Sequence, residues 1–273
     1  MQKSSEPPHV LTPEYYARME ELEETLGWYR GMHEIVLRQV DGWYRKTGAL
    51  RILDAGCGVG GLTQKLQKYA AAQRLVGLDL APEALAYCRQ QSKFDLVQGS
   101  LSELPFSDSS FDFITCLDVL QHVEDGKDTV ALAEFLRILR PGGVLLLRVA
   151  ASTGNRKPTL SHRYYRVETL VDQLSRAGFQ IEKATYVNRA SYWMQVLRRG
   201  LDLDYHRESL PEPPPKGPFR FLHLSWWKDK LIFHLLKREA IQLARGDRCY
   251  GHGMAVLCVA RTPGSAASSA PGQ

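Results

Sequence analysis

The sequence predicts an α/β fold, a seven-stranded and mostly parallel sheet with helices on both faces. Three observations carry that reading. From Leu50 onward, short apolar runs alternate with stretches of helical periodicity, the pattern of a parallel sheet wound by crossover helices. The first run ends in "RILDAGCGVGG" (51–61), a strand that opens through glycines into a helix. The 273 residues, 44% hydrophobic and 24% charged, suffice to fill one large core.

Residues 1 to about 12 are polar and proline-rich. Over 14–46, Met19, Leu22 and Leu26, then Ile35, Val36 and Val40, recur at helical spacing. Strands are expected at 50–54, 74–79, 94–98, 111–116 and 143–150, with helices at 60–71, 82–91 and 127–139. Pro141-Gly142-Gly143 reads as the turn between the last of these helices and its strand. Beyond 150 come a helix at 166–176, stopped near Gly178, and a strand at 179–187. An irregular stretch follows, 190–250, which holds "PEPPPKGP" and a helix near 227–245. In that helix Leu231, Ile232, Leu235, Leu236, Ala240 and Leu243 share one face. A strand at 252–261 completes the seven. The expected organisation is an N-terminal helical segment (1–48), a domain (49–262) with an insertion at about 190–250, and a disordered tail (263–273) too poor in apolar residues to pack.

The net charge of +5 is diluted by acidic runs such as Glu20, Glu21, Glu23 and Glu24, and no basic stripe interleaved with aromatics points to nucleic acid. The five cysteines form no C-x-x-C, so free thiols in a reducing compartment are expected. The N-terminus has no apolar stretch of the signal-peptide kind, and no run approaches the length of a membrane span. The expectation is a cytoplasmic protein.

The glycine turn admits two ligands. Gly56, Gly58 and Gly61 satisfy G-x-G-x-x-G, the dinucleotide fingerprint, and Asp79 follows Gly56 by 23 residues, where that fingerprint wants an acid. Gly56, Gly58 and Gly60 equally satisfy G-x-G-x-G. Charge separates the two. Asp54 stands directly before the turn, where a pyrophosphate would meet a like charge at a cost of several kcal/mol on a ~4 Å Coulomb scale. S-adenosylmethionine carries an ammonium and a sulfonium, which Asp54 favours, and Asp79 can accept from ribose hydroxyls. A tight structural turn with an incidental Asp is the plainer reading of the same residues.

"LDAGCGVGG", "VGLDLAPEAL", "LPFSDSSFDFITCLDVLQHVED" and "LRPGGVLLLRV", in that order, resemble the class I S-adenosylmethionine-dependent methyltransferases of the type 11 methyltransferase-domain family. The core resemblance spans residues 50–150. The flanks "WYRGMHEIVL", "SHRYYRVETLVDQLSRAGFQIEKATYVN" and "HGMAVLCVAR" resemble a subgroup with an aromatic N-terminal segment and a helical insertion before the last strand. The resemblance implies a Rossmann-like sheet with an antiparallel last strand and a helical cap insertion, and S-adenosylmethionine as cofactor. It places Asp54, Gly56, Cys57 and Gly58 around the methionine portion, Asp79 and Leu80 at the ribose and adenine, and Ser100 and Leu101 at the adenine edge. Two positions depart from the family pattern. Ser100 stands where an Asp is usual, and Gly27 where the subgroup commonly has an aromatic residue or His.

Methyl transfer from a sulfonium is an in-line displacement that needs positioning and water exclusion rather than a metal or a covalent intermediate. Asp118 and His122 follow the fourth strand, on the edge where such sheets bind ligands, and are the catalytic candidates, His122 as a general base. His122 can equally cap a helix. Trp28, Tyr29 and Arg30 are acceptor-binding candidates on the N-terminal segment; His162, Arg163 and Tyr164 are candidates after the fifth strand, suited to a phosphate or sugar. The insertion helix, preceded by Trp226-Trp227, suits a cap over the acceptor, a dimer contact or a peripheral membrane contact. The expected activity is methyl transfer to a small-molecule or glycan- or lipid-linked acceptor. The competing readings are an NAD-dependent oxidoreductase and a non-catalytic S-adenosylmethionine-binding module.

Overall fold

The computed structural model describes residues 13–91, 93–152, 163–200, 226–246 and 248–264. His162, the stretch "PEPPPKGP" and the tail from 265 lie outside the described residues. In chain order the elements are α1 (Pro13–Thr25), α2 (Gly27–Thr47), β1 (Leu50–Ala55), α3 (Gly61–Leu66), β2 (Ala70–Asp79), α4 (Pro82–Gln91), β3 (Asp95–Gln98), β4 (Phe111–Leu117), α5 (Asp128–Ile138), β5 (Leu139–Ala150), α6 (Val167–Arg176), β6 (Gln180–Val187), α7 (Arg189–Gly200), α8 (Trp226–Ala244) and β7 (Ala255–Arg261).

The seven strands form one sheet in the order β3-β2-β1-β4-β5-β7-β6. β1 to β5 pair in parallel, while β7 runs antiparallel between β5 and β6, with Leu145 opposite Ala260 and Val149 opposite Val256. Each central strand is apolar on both faces because both are covered. On one face Leu53, Ile114, Leu145, Leu147 and Val256 pack with α5 and α6 through Leu132, Phe135, Leu170 and Leu174. The adjacent residues Ile52, Phe113, Leu146 and Leu257 point the other way, onto α2, α3 and α8 through Ile35, Val36, Leu62, Leu66, Leu236 and Ala240.

Several details differ from the sequence reading. The helical stretch 14–46 breaks at Leu26, whose extended backbone (φ −82°, ψ 124°) offers no side-chain cap to α2. The Gly27 N–H donates instead to Asp229 Oδ1 of α8 at 2.8 Å. A Cβ at Gly27 would lie 2.5 Å from the Asp229 carbonyl oxygen, which explains why a glycine replaces the bulkier residue there. The helix expected over 60–71 ends at Leu66, and a single 3₁₀ turn (Gln67–Tyr69) leads into β2 at Ala70 rather than at 74. Pro141-Gly142-Gly143 lies inside the span of β5 as an irregularity: Leu139 opposes Phe111, then the register shifts before Phe113. The 190–250 stretch opens with a helix, α7, that the sequence pattern had not marked. In α8 the apolar residues divide between two faces. Ile232, Leu236, Ala240 and Leu243 are buried, whereas Leu231 and Leu235 are exposed beside Trp226 and Trp227. All five cysteines are free; Cys57, Cys88, Cys116 and Cys258 are buried and Cys249 is exposed.

Candidate cofactor and active site

The carboxyl ends of β1, β2, β4 and β5 meet at one edge of the sheet, and the glycine turn between β1 and α3 stands in the middle of it. Gly56, Gly58 and Gly60 all have left-handed backbones, with φ of +85°, +55° and +88°. A side chain at Gly56 would also collide with Val119 in the loop after β4. The N–H groups of Gly56 and Cys57 donate to the Leu78 carbonyl at 2.6 and 2.9 Å, which ties the turn to β2.

Asp79, the last residue of β2, receives the Gly58 N–H on Oδ2 at 2.9 Å and the Ala81 N–H on Oδ1 at 3.0 Å. Burial raises its pKa, and those N–H groups, with that of Leu80, pull back toward the ionised form. The carboxylate is thereby aimed across the turn. Leu80 beside it is 58% exposed, an apolar face open at the edge. Cys57 is buried against Leu85 and Cys88, which leaves its main chain to the turn. Ser100 is exposed, and its hydroxyl accepts the Ser102 N–H at 3.2 Å. Leu101 is buried with Leu78 and Leu104 in the core.

Asp54 sits beneath the turn, fully enclosed. Its Oδ2 accepts from Thr63 Oγ1 at 2.5 Å and its Oδ1 from Thr115 Oγ1 at 2.7 Å. Burial raises its pKa; the two hydroxyls oppose that, and the Asp79 charge adds to it. Hydrogen bonds to a charged group contribute about 1.5–3 kcal/mol each, so this pair fixes Asp54 as part of the turn's foundation. Neither threonine stood out in the sequence: Thr63 meets Asp54 across the turn and Thr115 meets it across the sheet.

Asp118 adopts φ +59°, a left-handed backbone outside glycine that short polar side chains tolerate best. Its carboxylate takes Arg148 Nε at 3.2 Å on each oxygen and Nη2 at 2.6 Å on Oδ2. Arg148, buried in the apolar run of β5, has Nη1 without a hydrogen-bond partner among the described residues. His122 closes a 3₁₀ turn (Leu120–His122), its Nε2 3.5 Å from the Gln121 amide nitrogen. The Gln121 amide oxygen receives the Ala150 N–H at 2.5 Å, so this turn is held against β5.

The remaining candidates divide. Arg163 turns back onto the loop after β4, donating to the Leu120 carbonyl at 3.1 Å and pairing with Asp125 and Asp128, which spends it on loop geometry. Tyr164 is half-buried beside it. Trp28 and Tyr29 form an edge-to-face pair with centroids 4.9 Å apart, and exposed Arg30 lies 4.6 Å over the Phe233 ring of α8. The structure thus joins α2 to the insertion helix over one face of the sheet.

Sequence reasoning missed the residues that α1 brings to the turn. Met19 of α1 sits 3.2 Å from where a Cβ of Gly58 would be, and Tyr16 packs on Val59, Ala81 and Ala84. The buried Glu23 carboxylate lies against Gly61. His33 of α2 accepts from Lys65 at 2.7 Å; burial first, then the Lys65 and Arg148 charges, drive its pKa well down, so it is neutral.

Residues 53–147 match the family described as the methyltransferase domain. That stretch runs from β1 through β5 and holds the glycine turn, and it is similar to a methyltransferase domain. Relatives of this chain include a probable S-adenosylmethionine-dependent methyltransferase of Mycolicibacterium smegmatis, 32% identical over 168 residues that cover 59% of this chain and 62% of that protein. The ubiquinone biosynthesis O-methyltransferase of Aromatoleum aromaticum is 33% identical over 142 residues, 49% of this chain and 57% of that one. The chain spans less than two thirds of the length of these relatives. Among solved structures, Haemonchus contortus phosphoethanolamine N-methyltransferase 2 in complex with S-adenosyl-L-methionine superposes with a TM-score of 0.57 at 17% identity, over 93% of this chain and 58% of that chain. An S-adenosylmethionine-dependent methyltransferase of Thermotoga maritima gives 0.53 at 16% identity, over 92% and 97%. At such identities the likeness is one of fold.

Proposed function

We propose that this protein transfers a methyl group from S-adenosylmethionine to a small-molecule acceptor, free or glycan- or lipid-linked, and releases S-adenosylhomocysteine. The observation that carries the reading is the pairing of a left-handed glycine turn with Asp79, whose carboxylate the turn's own Gly58 N–H holds in place. The residues fit the cofactor. Asp79 offers acceptors for ribose hydroxyls, and the left-handed Gly56, Gly58 and Gly60 keep the turn's main chain free of side chains for close approach. When bound, S-adenosylmethionine supplies a methyl group on a sulfonium that needs no further activation. The chain's own part is then to orient and to exclude water.

On the acceptor side, Asp118 holds Arg148 in place, and His122 is the group in this region suited to take a proton from an acceptor that keeps one near neutral pH. Trp28, Tyr29 and Arg30 of α2 are the further acceptor contacts of this reading, on the side where α2 meets α8. The names of the relatives support an acceptor of quinone or fatty-acid type: besides the ubiquinone O-methyltransferase, the matches include a demethylmenaquinone methyltransferase of Deinococcus radiodurans and a fatty-acid O-methyltransferase of M. smegmatis. No helix among the described residues is long and apolar enough to cross a membrane. An acceptor of that kind would reach the site through surface contact, for which the exposed Trp226, Trp227, Leu231 and Leu235 of α8, flanked by Lys228 and Lys230, are suited.

Calorimetric titration with S-adenosylmethionine, S-adenosylhomocysteine and NADH, alongside Asp79→Ala, tests the reading. Binding of the first two, lost in the variant, is expected. Binding of NADH alone overturns it, and binding without turnover of methyl-labelled cofactor over a panel of quinol and fatty-acid acceptors favours a non-catalytic module.

A further inference from the structure

Glu23 is the residue whose position the proposed activity has not used. It comes from α1, yet its carboxylate lies on the glycine turn so closely that a Cβ at Gly61 would collide with it. It is only 6% exposed, and its Oε2 has no hydrogen-bond partner among the described residues. A buried carboxylate oxygen without a donor is costly unless a ligand supplies one. Asp54, the acid that the sequence motif puts next to the turn, has both oxygens engaged by Thr63 and Thr115.

We propose that Glu23 is a cofactor-binding residue, and that its open oxygen accepts the α-ammonium of the methionine portion in place of Asp54. The inference rests on S-adenosylmethionine being the cofactor. The groups that face Glu23 favour a cation there over an anion. Asp54 of β1 lies below, and Glu20 and Glu24 of α1 border the same small cavity, together with Val59, Gly61, Gln64 and Lys65. Lys65 of α3 and Arg148 of β5 lie within electrostatic reach, Lys65 bound to the neutral His33 of α2 and Arg148 to Asp118. The free state bears the mark of an acid waiting for a partner. Burial pushes the Glu23 pKa up to about 7, only partly offset by the Gly61 N–H and the Lys65 charge. An arriving ammonium reverses that, so binding must expel the proton.

The test is calorimetry with S-adenosylhomocysteine, whose ammonium is charged throughout, in buffers of differing ionisation enthalpy at pH 6 and 7.5. A free-state pKa of about 7 predicts release of about 0.9 proton per ligand at pH 6 and about a quarter at pH 7.5. In Glu23→Gln the release disappears and affinity falls about 10- to 100-fold, the worth of one charge-assisted hydrogen bond. Glu23→Asp, which keeps the charge on a shorter arm, recovers part of the affinity and the proton release. Wild-type release with an unchanged Kd in Glu23→Gln overturns the assignment, and so does tighter binding by Glu23→Gln, which would make Glu23 a plug that the cofactor displaces. If the wild type binds neither S-adenosylhomocysteine nor S-adenosylmethionine, the proposed function itself falls, and the inference with it.

Discussion

Removing the Asp118 carboxylate strands a buried cation, and the size of the penalty can be worked from the contacts. Arg148 has a side chain 7% exposed and makes three contacts to Asp118, at 3.2, 3.2 and 2.6 Å, while its Nη1 lacks a partner among the described residues. Breaking a fully buried pair costs about 3–5 kcal/mol. Asp118 itself is 35% exposed, so water can reach the vacated position and the expected cost falls to about 2 kcal/mol. The backbone adds a second contribution, because at φ +59° an Ala pays about 1 kcal/mol that a Gly does not. Asp118→Ala is therefore expected to lose about 3 kcal/mol and Asp118→Gly about 2. For a chain of this length that means melting shifts of roughly 6–12 °C and 4–8 °C. Urea unfolding followed by tryptophan fluorescence and far-UV dichroism measures both. An Ala variant no less stable than wild type would refute the buried-cation reasoning, and a Gly variant less stable than the Ala variant would refute the backbone argument.

Three further expectations concern the site and its surroundings. If His122 takes a proton from the acceptor, His122→Ala lowers kcat by about 10²-fold or more and flattens its pH profile; retention of most turnover from pH 6 to 9 removes the assignment. Ser100→Asp, which restores the carboxylate usual in the family at the adenine edge, should tighten S-adenosylmethionine binding, and an unchanged or weaker Kd counts against that alignment. Glu239 of α8 is buried, accepts the Arg189 N–H at 3.1 Å, and has its pKa pushed up to about 7, chiefly by burial. A folded-state pKa above the ordinary 4.5 means the folded protein binds the extra proton, so stability declines as pH rises from about 4.5 to about 7 and is level beyond. Glu239→Gln should accordingly gain about 2–3 kcal/mol at pH 8 and almost nothing at pH 4.5; denaturant midpoints at the two pH values decide it.

Much of this molecule is legible in the chain because its strongest signals are local. Apolar runs such as 144–149 and the glycine turn at 56–61 mark strands and their connections within a few residues, and the seven strands follow from them. What the pattern hides is contact between distant segments. Glu23 reads as one more charge in an acidic run until α1 is laid over Gly61, and Arg148 reads as an interruption of β5 until β4 brings up Asp118. Thr63 and Thr115 acquire meaning only when β1 places Asp54 between them. The two faces of α8 fail to separate for a related reason. Helical spacing puts Leu231 and Leu235 next to Ile232 and Leu236, and only the width of the surface they meet decides how many are covered.

The staple between Gly27 and Asp229 sets an order on the making of the protein. Residues of α2 emerge from the ribosome early, but the helix that receives the Gly27 N–H and covers Met32 and Ile35 is translated some two hundred residues later. β7, which separates β5 from β6 in the finished sheet, comes later still. The nascent chain must therefore carry an apolar helix until α8 is synthesised and an unfilled strand position until β7 follows. Truncation by ribosome stalling before α8 would release a species with the glycine turn already made and the surface above it bare. Chaperones would recognise that species as unfinished.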